Sequence, residues 1–379
     1  MSVEAEIVKF GDVCSLDRVH NKGAALPYVG LEDIASGESR FIGNLEPKKV
    51  QSSTFRFTSE HILYGRLRPY LNKVYLPDFD GHCSTEIFPI RPTPDADRRY
   101  LYYWLSMEST VKEIDRTSTG ARMPRANVNA ILEFPIPAPP LAEQRRIVAI
   151  LDEVFDGLAT ATDIAEQNLH NARDLFNSYL SFIFEKSWAT RALGDICENL
   201  DSRRTPVTKR DRKPGNIPYY GASGAVDYVD GFIFDEDLLL VSEDGANLVM
   251  RTYPIAFSIA GKSWVNNHAH VLRFPDLASQ KFVEHYLNSV SLAPYVNGMA
   301  QPKLNQKALN SIPVPWPELD CREKAVARLE GLTAQMERLR ETYEARITAL
   351  AELKQSILQK AFAGELTAPP SQAINEAAE

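Results

Sequence analysis

The apolar positions of this chain follow one regular pattern that occurs twice. Over residues 147–183, apolar or small residues recur at spacings that alternate between three and four. The same pattern, displaced by 178 positions, covers residues 325–361 and is interrupted at Lys354, where we expect the adjacent Leu353 to fill the gap. This spacing is typical of helices that bury a narrow stripe against a partner helix. Each stretch is therefore predicted to form one long helix.

The two stripes are in matching phase, which predicts that the helices pack against each other. The seam positions are Leu151, Leu158 and Leu169 in the first helix and Leu329, Met336 and Ile347 in the second. Helices of about 40 residues are about 60 Å long, so an antiparallel pair would hold two domains apart and relate them by a pseudo-twofold axis. Two unrelated surface helices, each packed on its own domain, are the alternative.

Proline-rich segments precede both helices. The prolines are Pro135, Pro137, Pro139 and Pro140 before the first helix, and Pro313, Pro315 and Pro317 before the second. Proline is disfavoured in helix interiors and in strand ladders, so these segments are predicted to be stiff, extended lead-ins that fix where each helix begins. Gly364 is expected to cap the end of the second helix, and residues 367–379 are expected to form a disordered tail.

The two remaining stretches contain short β-type runs separated by glycine and proline. We predict strand, turn and strand over residues 60–70, strands over 85–90, 237–242, 255–259 and 270–274, and one helix in each stretch, over 99–106 and 282–289. This mixture indicates the α+β class. The predicted architecture is two mixed α/β globular domains separated by a pair of long antiparallel coiled-coil helices, with an internal pseudo-twofold repeat.

The repeat also fixes the predicted domain boundaries. Similar strings, LPYVG at residues 26–30 and IPYYG at residues 217–221, open the two globular stretches. A period near 178 is too long for a solenoid unit, so it indicates two whole domains, each with its own helix. The predicted segments are a first globular domain at 1–140, a first helix at 141–187, a second globular domain at 188–318, a second helix at 319–366 and the tail at 367–379.

The composition is that of an ordinary globular protein, with 44% hydrophobic and 24% charged residues among 379. The net charge is −8, and most of the acidic excess falls in the helical segments. This counts weakly against a free-standing nucleic-acid binder, but it leaves room for a local basic face. Four cysteines without CxxC spacing, no secretory signal and no long apolar run lead us to expect a cytoplasmic protein.

Motifs for catalysis are absent from the sequence. It contains no P-loop, no HExxH and no GxSxG. The nearest match to the tetrapeptide of amino-methyltransferases, at residues 138–141, lacks both the polar residue and the aromatic residue. His268 and His270 could bind a metal, but no third ligand is evident, and we favour a strand that alternates its side chains. We therefore expect no catalytic residue, no directly bound cofactor and no metal.

Two loops at matched positions, 117–127 and 298–307, are rich in hydroxyl groups, amides and cations. Such side chains bind phosphates, and Arg, Asn and Gln can also read base edges. Each loop alone could equally be a solvated surface segment, but their recurrence in both halves favours nucleic-acid binding. The candidate DNA contacts are Arg66, Arg68, Ser118, Thr119, Arg122, Arg125 and Asn127 in the first half, and Arg203, Arg204, Lys209, Lys262, Asn266, Gln301, Lys303 and Asn305 in the second.

The duplicated strings resemble those of one family. They are FPIPAPPLAEQRRIVAIL at residues 134–151, its degenerate copy IPVPWPELDCREKAVARL at 312–329, LKQSILQKAFAGEL at 353–366 and NNHAHVLR at 266–273. With these strings the chain is similar, over nearly its whole length, to specificity subunits of type I restriction-modification systems, which act in phage defence.

The resemblance implies a specific function. Each globular domain would be a target recognition domain that reads one half of a bipartite DNA sequence. The helices would set the unspecific spacer and dock two methyltransferase subunits, which bind S-adenosylmethionine and methylate adenine, and restriction subunits would join this core. The chain itself would be non-catalytic. The alternative is a coiled-coil scaffold that carries two protein-binding domains.

Overall fold

The computed structural model of the chain describes residues 6–37, 40–120, 122–184, 188–298 and 301–366. The chain divides into two compact units. The first unit comprises residues 1–165 and 345–379, and the second comprises residues 166–344. Each unit therefore contains one globular domain together with one part of each long helix.

The globular domain of the first unit is built from two four-stranded sheets and one two-stranded pair. Its strands are β1 (Glu6–Lys9), β2 (Cys14–Leu16), β3 (Leu26–Val29), β4 (Pro47–Lys48), β5 (Thr54–Phe57), β6 (Ile62–Gly65), β7 (Val74–Tyr75), β8 (Gly81–Ser84), β9 (Ile87–Pro92) and β10 (Pro135–Ala138). The sheets have the orders β2-β9-β6-β7 and β4-β3-β8-β5, and β1 pairs with β10. This last pair ties the start of the domain to the proline-rich segment before the first long helix.

Helices cover the first unit's sheets and lead into the long helix. They are α1 (Phe10–Val13), α2 (Arg98–Ser106), α3 (Glu108–Arg116), α4 (Val128–Ile131) and α5 (Leu141–Phe184). Tyr100 and Trp104 on α2 are buried in one apolar cluster with Phe10 and Leu151. The Tyr100 hydroxyl also donates to the carbonyl oxygen of Pro137 at 2.9 Å. The start of α5 is thus part of the domain core.

The second unit repeats this topology. Its strands are β11 (Thr190–Ala192), β12 (Glu198–Asn199), β13 (Pro214–Gly221), β14 (Gly224–Val229), β15 (Phe234–Asp235), β16 (Leu238–Ser242), β17 (Ala256–Ile259), β18 (Lys262–Val265), β19 (Ala269–Arg273) and β20 (Pro313–Pro315). Its helices are α6 (Asn247–Met250), α7 (Leu277–Ser289), α8 (Gln306–Asn310) and α9 (Leu319–Phe362). The sheets have the orders β12-β19-β16-β17 and β14-β13-β18-β15, and β11 pairs with β20.

The correspondence of the units extends to strand direction. In each unit one inner pair is parallel, β3 with β8 and β13 with β18, while the other described pairs are antiparallel. The two long helices both contain 44 residues, and their first residues are separated by 178 positions. The predicted α+β fold with an internal repeat and two long helices is confirmed.

The long helices pack against each other within each unit. In the first unit Leu151 of α5 is fully buried in a cluster with Leu358 and Phe362, near the end of α9. In the second unit Ile183, near the end of α5, is buried with Leu329, near the start of α9. Both sets of contacts join the start of one helix to the end of the other, so the pair is antiparallel.

Burial along the expected seam is uneven. Leu151 and Leu329 are fully buried, whereas Leu158, Leu169, Met336 and Ile347 are half-buried. The expectation for Leu353 is wrong, because this side chain is 47% exposed. Lys354 is half-buried instead, and its ammonium lies 5.3 Å from the centroid of the Phe155 ring. The aliphatic stem of a lysine can cover apolar surface while its charge contacts an aromatic face.

Several local predictions need correction. Residues 60–70 contain one strand, β6, and not two, because Arg68 adopts a left-handed conformation (φ 52°) and Pro69 begins a 3-10 turn, Pro69–Leu71. Helix α3 was not predicted. Helix α7 begins five residues before its predicted start, because the carboxylate of Asp276 accepts from Ser279 N–H at its first turn.

The expected end of the second long helix is confirmed. Gly364 has φ +77°, and the N–H of Glu365 donates to the carbonyl oxygen of Lys360 at 2.9 Å, as in a Schellman cap. The expected tail at 367–379 lies outside the described residues.

Candidate nucleic-acid interface

A loop in the first unit, residues 117–127, is held against the end of β6 by backbone hydrogen bonds. We call it the first clamped loop. Thr119 and Arg125 exchange two backbone hydrogen bonds, of 3.0 and 3.1 Å. Arg68 N–H donates to the carbonyl oxygen of Pro124 at 2.7 Å, and Ala126 N–H donates to that of Arg66 at 2.9 Å. Both arms of the loop are therefore fixed in position.

The second unit holds residues 297–305, the second clamped loop, in the same way. Asn297 and Lys303 exchange backbone hydrogen bonds of 2.8 and 2.9 Å. Gly245 N–H donates to Pro302 at 3.0 Å, and Leu304 N–H donates to the carbonyl oxygen of Glu243 at 2.8 Å. The four bonds correspond one to one with those of the first loop. Arg66 and Glu243 therefore occupy equivalent positions, as do Arg125 and Lys303.

Each clamped loop ends at a helix cap. The Asn127 side-chain oxygen accepts from Ala130 N–H at the start of α4, and that of Asn305 accepts from Ala308 N–H at the start of α8. An asparagine in this position satisfies a backbone donor that the helix leaves unpaired. The capping role of these two asparagines explains their recurrence at matched positions.

A carboxylate lies beside the cation of the first clamped loop. The guanidinium of Arg125 donates to both oxygens of Glu86, with Nη2 2.9 Å from Oε1, and Arg66 Nε donates to Oε2 at 2.9 Å. Burial alone would raise the pKa of Glu86, but the hydrogen bonds from Arg125 and Arg66 outweigh it and lower the pKa below its usual value. Arg66 also lies over the ring of Phe88, 5.3 Å from its centroid.

The second clamped loop also has a carboxylate beside its cation, but on a different residue. Lys303 Nζ lies 3.1 Å from Glu243 Oε1, and Arg204 Nη1 lies 2.7 Å from Oε2. Burial opposes the ionisation of Glu243, but its hydrogen bonds to Arg204 and Lys303 lower its pKa. The neighbouring Asp201 carboxylate lies 3.6 Å from Arg204. The loop cation is thus anchored to a charged network.

The two histidines considered as metal ligands have separate partners. His270 is buried, with Nδ1 2.6 Å from a carboxylate oxygen of Asp201 and Nε2 2.7 Å from the carbonyl oxygen of Leu304. His268 is half exposed, and its Nδ1 lies 2.8 Å from Asp244. Within the described ranges, no group of three or more His, Cys, Asp or Glu residues is arranged to hold a metal ion.

Several of the predicted contact residues are exposed. They include Arg68, Thr119, Arg122, Lys209, Lys262 and Gln301, and also Lys303, whose side chain is 56% exposed. In the part of the chain that the structure describes, neither Arg68 nor Arg122 has an ion-pair partner. The ammonium of Lys262 lies 4.8 Å from the ring centroid of Phe232. These side chains are accessible to a nucleic acid.

Other predicted contact residues take part in interactions within their own unit. Arg203 lies 4.7 Å from the ring centroid of Phe234 and pairs with Glu236. Arg204 donates to the carbonyl oxygen of Ala269 in addition to its carboxylate partners. Asn266 is buried and accepts from His268 N–H. Ser118 Oγ is buried and has no hydrogen-bond partner among the described residues.

The sequence did not indicate Glu86 or Glu243. Nucleic-acid contacts are expected from cations, amides and hydroxyls, whereas these carboxylates carry the opposite charge. The repeat could not reveal them either, because they do not occupy equivalent positions. Arg66 is equivalent to Glu243. Arg66 N–H donates to the carbonyl oxygen of Glu86, and Glu243 N–H donates to the carbonyl oxygen of His268. The position equivalent to Glu86 is therefore His268.

The sequence profile of one protein family matches both halves of the chain. The profile is described as the type I restriction modification DNA specificity domain, and it matches residues 2–167 and again residues 185–349. The chain belongs to this family. The resemblance noted from the duplicated strings is thereby confirmed, and the two matches correspond to the two repeated halves of the fold.

Individual relatives match smaller parts of the chain. A predicted type I restriction enzyme specificity subunit of Haemophilus influenzae is 35% identical over 150 residues, which are 40% of this chain and 38% of that protein. The type I restriction enzyme EcoDI specificity subunit of Escherichia coli is 30% identical over 139 residues, 37% of this chain and 30% of that protein. The chain thus spans less than half the length of these curated relatives.

Solved structures share the fold over almost the whole chain. A chain from a structure on complex assembly and conformational transition of the type I R-M system has a TM-score of 0.81 and 21% identity, with 96% of this chain and 99% of that chain covered. The HsdS subunit from Thermoanaerobacter tengcongensis has a TM-score of 0.59 and 21% identity, with coverage of 96% and 98%. Within the described segments, no helix is long and apolar enough to cross a membrane.

Proposed function

We propose that this chain is the DNA-specificity subunit of a type I restriction-modification enzyme. Each globular domain binds one half of a bipartite target on double-stranded DNA. Helices α5 and α9 set the spacer between the half-sites and dock two methyltransferase subunits, which bind S-adenosylmethionine and methylate adenine. Restriction subunits join this core in the cytoplasm. The chain itself binds DNA and catalyses no reaction.

The observation that carries the proposal is the repeated clamped loop. Two loops of different sequence are fixed by the same four backbone hydrogen bonds, beside the ends of equivalent strands. Their side chains differ while their backbones are held alike, and this combination suits a scaffold that reads two different half-sites. A rigid backbone holds its side chains ready for groove contacts, so less conformational entropy is lost on binding.

The exposed cations supply the phosphate contacts. In the first unit Arg68 and Arg122 are accessible, and in the second unit Lys209 and Lys262 are. Arginine and lysine at such positions orient a protein on the duplex and contribute most of the non-specific affinity. The net charge of −8 indicates that the basic surface is local, and the methyltransferase subunits would add to it.

Salt dependence of DNA binding tests the proposal. The full chain, assembled with its methyltransferase subunits, is titrated with target DNA at increasing salt. Phosphate contacts predict a steep negative slope of log affinity against log salt, of about −0.9 for each phosphate neutralised. A complex that fails to bind DNA, or whose affinity does not depend on salt, would support a scaffold with two protein-binding domains instead.

A further inference from the structure

The cations nearest the strand ends in the clamped loops, Arg125 and Lys303, have side chains 40% and 56% exposed, and each is held in an ion pair with a carboxylate. Arg125 makes a bidentate contact with Glu86, and Lys303 contacts Glu243. Both carboxylates are largely shielded from solvent, with side chains 22% and 12% exposed. Each of them also binds a second cation, Arg66 or Arg204, so the loop is joined to its domain through a carboxylate bridge.

This bridge is repeated although its residues are not. Glu86 lies between β8 and β9, whereas Glu243 follows β16 directly. The carboxylates therefore approach equivalent loop cations from different strands of the fold. A repeated arrangement built from non-equivalent residues is not a remnant of duplication alone. The feature that the two units share is the restraint on the loop.

We propose that Glu86 and Glu243 are positioning residues for DNA recognition, which act by holding Arg125 and Lys303 against the domain. In this arrangement the two loop cations do not read bases. They fix the loop so that neighbouring exposed side chains, such as Arg122 in the first unit, meet the DNA in one orientation. The inference rests on the proposed function and adds residue roles to it.

Because Glu86 and Glu243 are negatively charged, the direction in which their removal changes the affinity for DNA tests the inference. A carboxylate near DNA repels phosphate, so its removal would strengthen binding if Arg125 contacted DNA directly. Removal would also free Arg125 from its intramolecular partner. If Glu86 instead positions the loop, its removal weakens binding although the surface becomes more positive. The two roles therefore predict opposite changes in affinity.

The experiment uses the full chain assembled with its methyltransferase subunits and a DNA target whose first half-site has been mapped. We expect Glu86→Gln to weaken binding by about tenfold, as for the loss of a charge-assisted hydrogen bond. Arg125→Gln should weaken it to a similar extent, and the double variant should be no weaker than either single variant. Glu113→Gln removes an exposed carboxylate on α3 of the same unit and serves as the matched control.

A conservative variant separates positioning from base reading. Lys303 performs the equivalent contact in the second unit, so Arg125→Lys should recover most of the affinity that Arg125→Gln loses, with the same half-site preference. An arginine that reads guanine by a bidentate contact cannot be replaced by lysine without loss of that geometry. If Arg125→Lys changes the preferred bases, the inference is wrong.

Equal or tighter binding by a folded Glu86→Gln variant would also overturn the inference. If thermal unfolding shows that Glu86→Gln has lost its fold, the Arg125→Lys and Arg125→Gln pair decides the question by itself. Failure of the proposed function looks different, because the wild-type complex would then bind no bipartite target. The corresponding variants of the second unit, Glu243→Gln and Lys303→Gln, should affect the second half-site alone.

Discussion

The buried ring of His270 donates from Nε2 to the carbonyl oxygen of Leu304, 2.7 Å away in the second clamped loop. A carbonyl oxygen only accepts, so this ring nitrogen must carry a proton. The other ring nitrogen lies 2.6 Å from the Asp201 carboxylate. His270 thus links the second clamped loop to the segment before β13.

The first unit has no histidine at this position. Asp17 N–H donates to the carbonyl oxygen of Pro89, and Leu200 N–H donates to that of Val271 in the same way. Pro89 and Val271 are therefore equivalent, and so are the residues before them, Phe88 and His270. We therefore expect His270→Phe to leave the Leu304 carbonyl without its histidine donor and to remove one partner of the Asp201 carboxylate, which keeps its hydrogen bond from Val271 N–H. The free energy of unfolding should fall by about 2 kcal/mol, as measured by denaturant titration.

His268→Gln is the matched control for that substitution. His268 lies on the same segment but is half exposed, and its contact with Asp244 is a surface pair, so its loss should cost less than about 1 kcal/mol. Equal destabilisation by both variants would show that the Leu304 contact contributes nothing specific.

Lowering the pH should destabilise the second unit, because the Asp201 carboxylate becomes protonated. Burial opposes the ionisation of this carboxyl, but hydrogen bonds from His270 and from Val271 N–H hold its pKa below the ordinary value of 3.8. A carboxyl whose pKa is lowered by folding stabilises the fold at any pH above its pKa in the unfolded chain. This contribution is lost as the pH falls through its pKa in the folded protein. We expect stability to decline below about pH 4.

Asp201→Asn tests this assignment. The variant should be less stable than wild type near neutral pH, because the buried partner of His270 is lost, and its unfolding free energy should depend less on pH in the acid range. Unfolding curves collected from about pH 7 to about pH 2.5 measure both effects. An unchanged slope in the acid range would assign the acid sensitivity to other carboxyls.

The seam between the long helices predicts a large difference between two leucines of α9. Leu358 is fully buried against the start of α5, whereas Leu353 is 47% exposed. Leu358→Ala should lower the free energy of unfolding by about 3 kcal/mol, since it leaves a cavity. Leu353→Ala should change it by less than about 1 kcal/mol. If both variants lost a similar free energy of unfolding, the observation that Leu358 faces α5 and Leu353 faces solvent would be contradicted.

The long helices also show what the sequence could predict. The period of the apolar stripe and the prolines before it indicate where each helix begins and ends, because both signals are local. Lys354 could not be placed by the same rule. It lies over the ring of Phe155, which is about 200 positions away in sequence, and the charge of a lysine ordinarily indicates an exposed position.

The candidate site was predictable in part for a similar reason. The clamped loops were recognised because their composition repeats at a fixed displacement. Their restraints were not recognised, because Glu86 is 39 positions from Arg125 and contacts it only in the folded domain. Capping by Asn127 and Asn305 was open to prediction, since both asparagines precede short helical segments.

Arg122 provides the most direct test of a phosphate contact in the first unit. It is exposed and, within the described segments, has no ion-pair partner. Arg122→Ala should weaken binding through the first half-site only and reduce the salt slope by about one. Lys112→Ala, which removes an exposed cation paired with Glu108 on α3, is the control. Equal loss at both half-sites would contradict independent recognition by the two domains.

The proposed function requires that each domain reads one half-site and that α5 and α9 set the spacer between the half-sites. Genome-wide mapping of methylated adenines, in cells with and without this chain, tests it most directly, together with a variant that carries one extra helical turn within residues 147–183. We predict a bipartite motif that requires the chain, and in the variant the same two half-sites with a longer spacer. Altered half-sites with an unaltered spacer, or a methylation pattern that does not depend on the chain, would contradict the account.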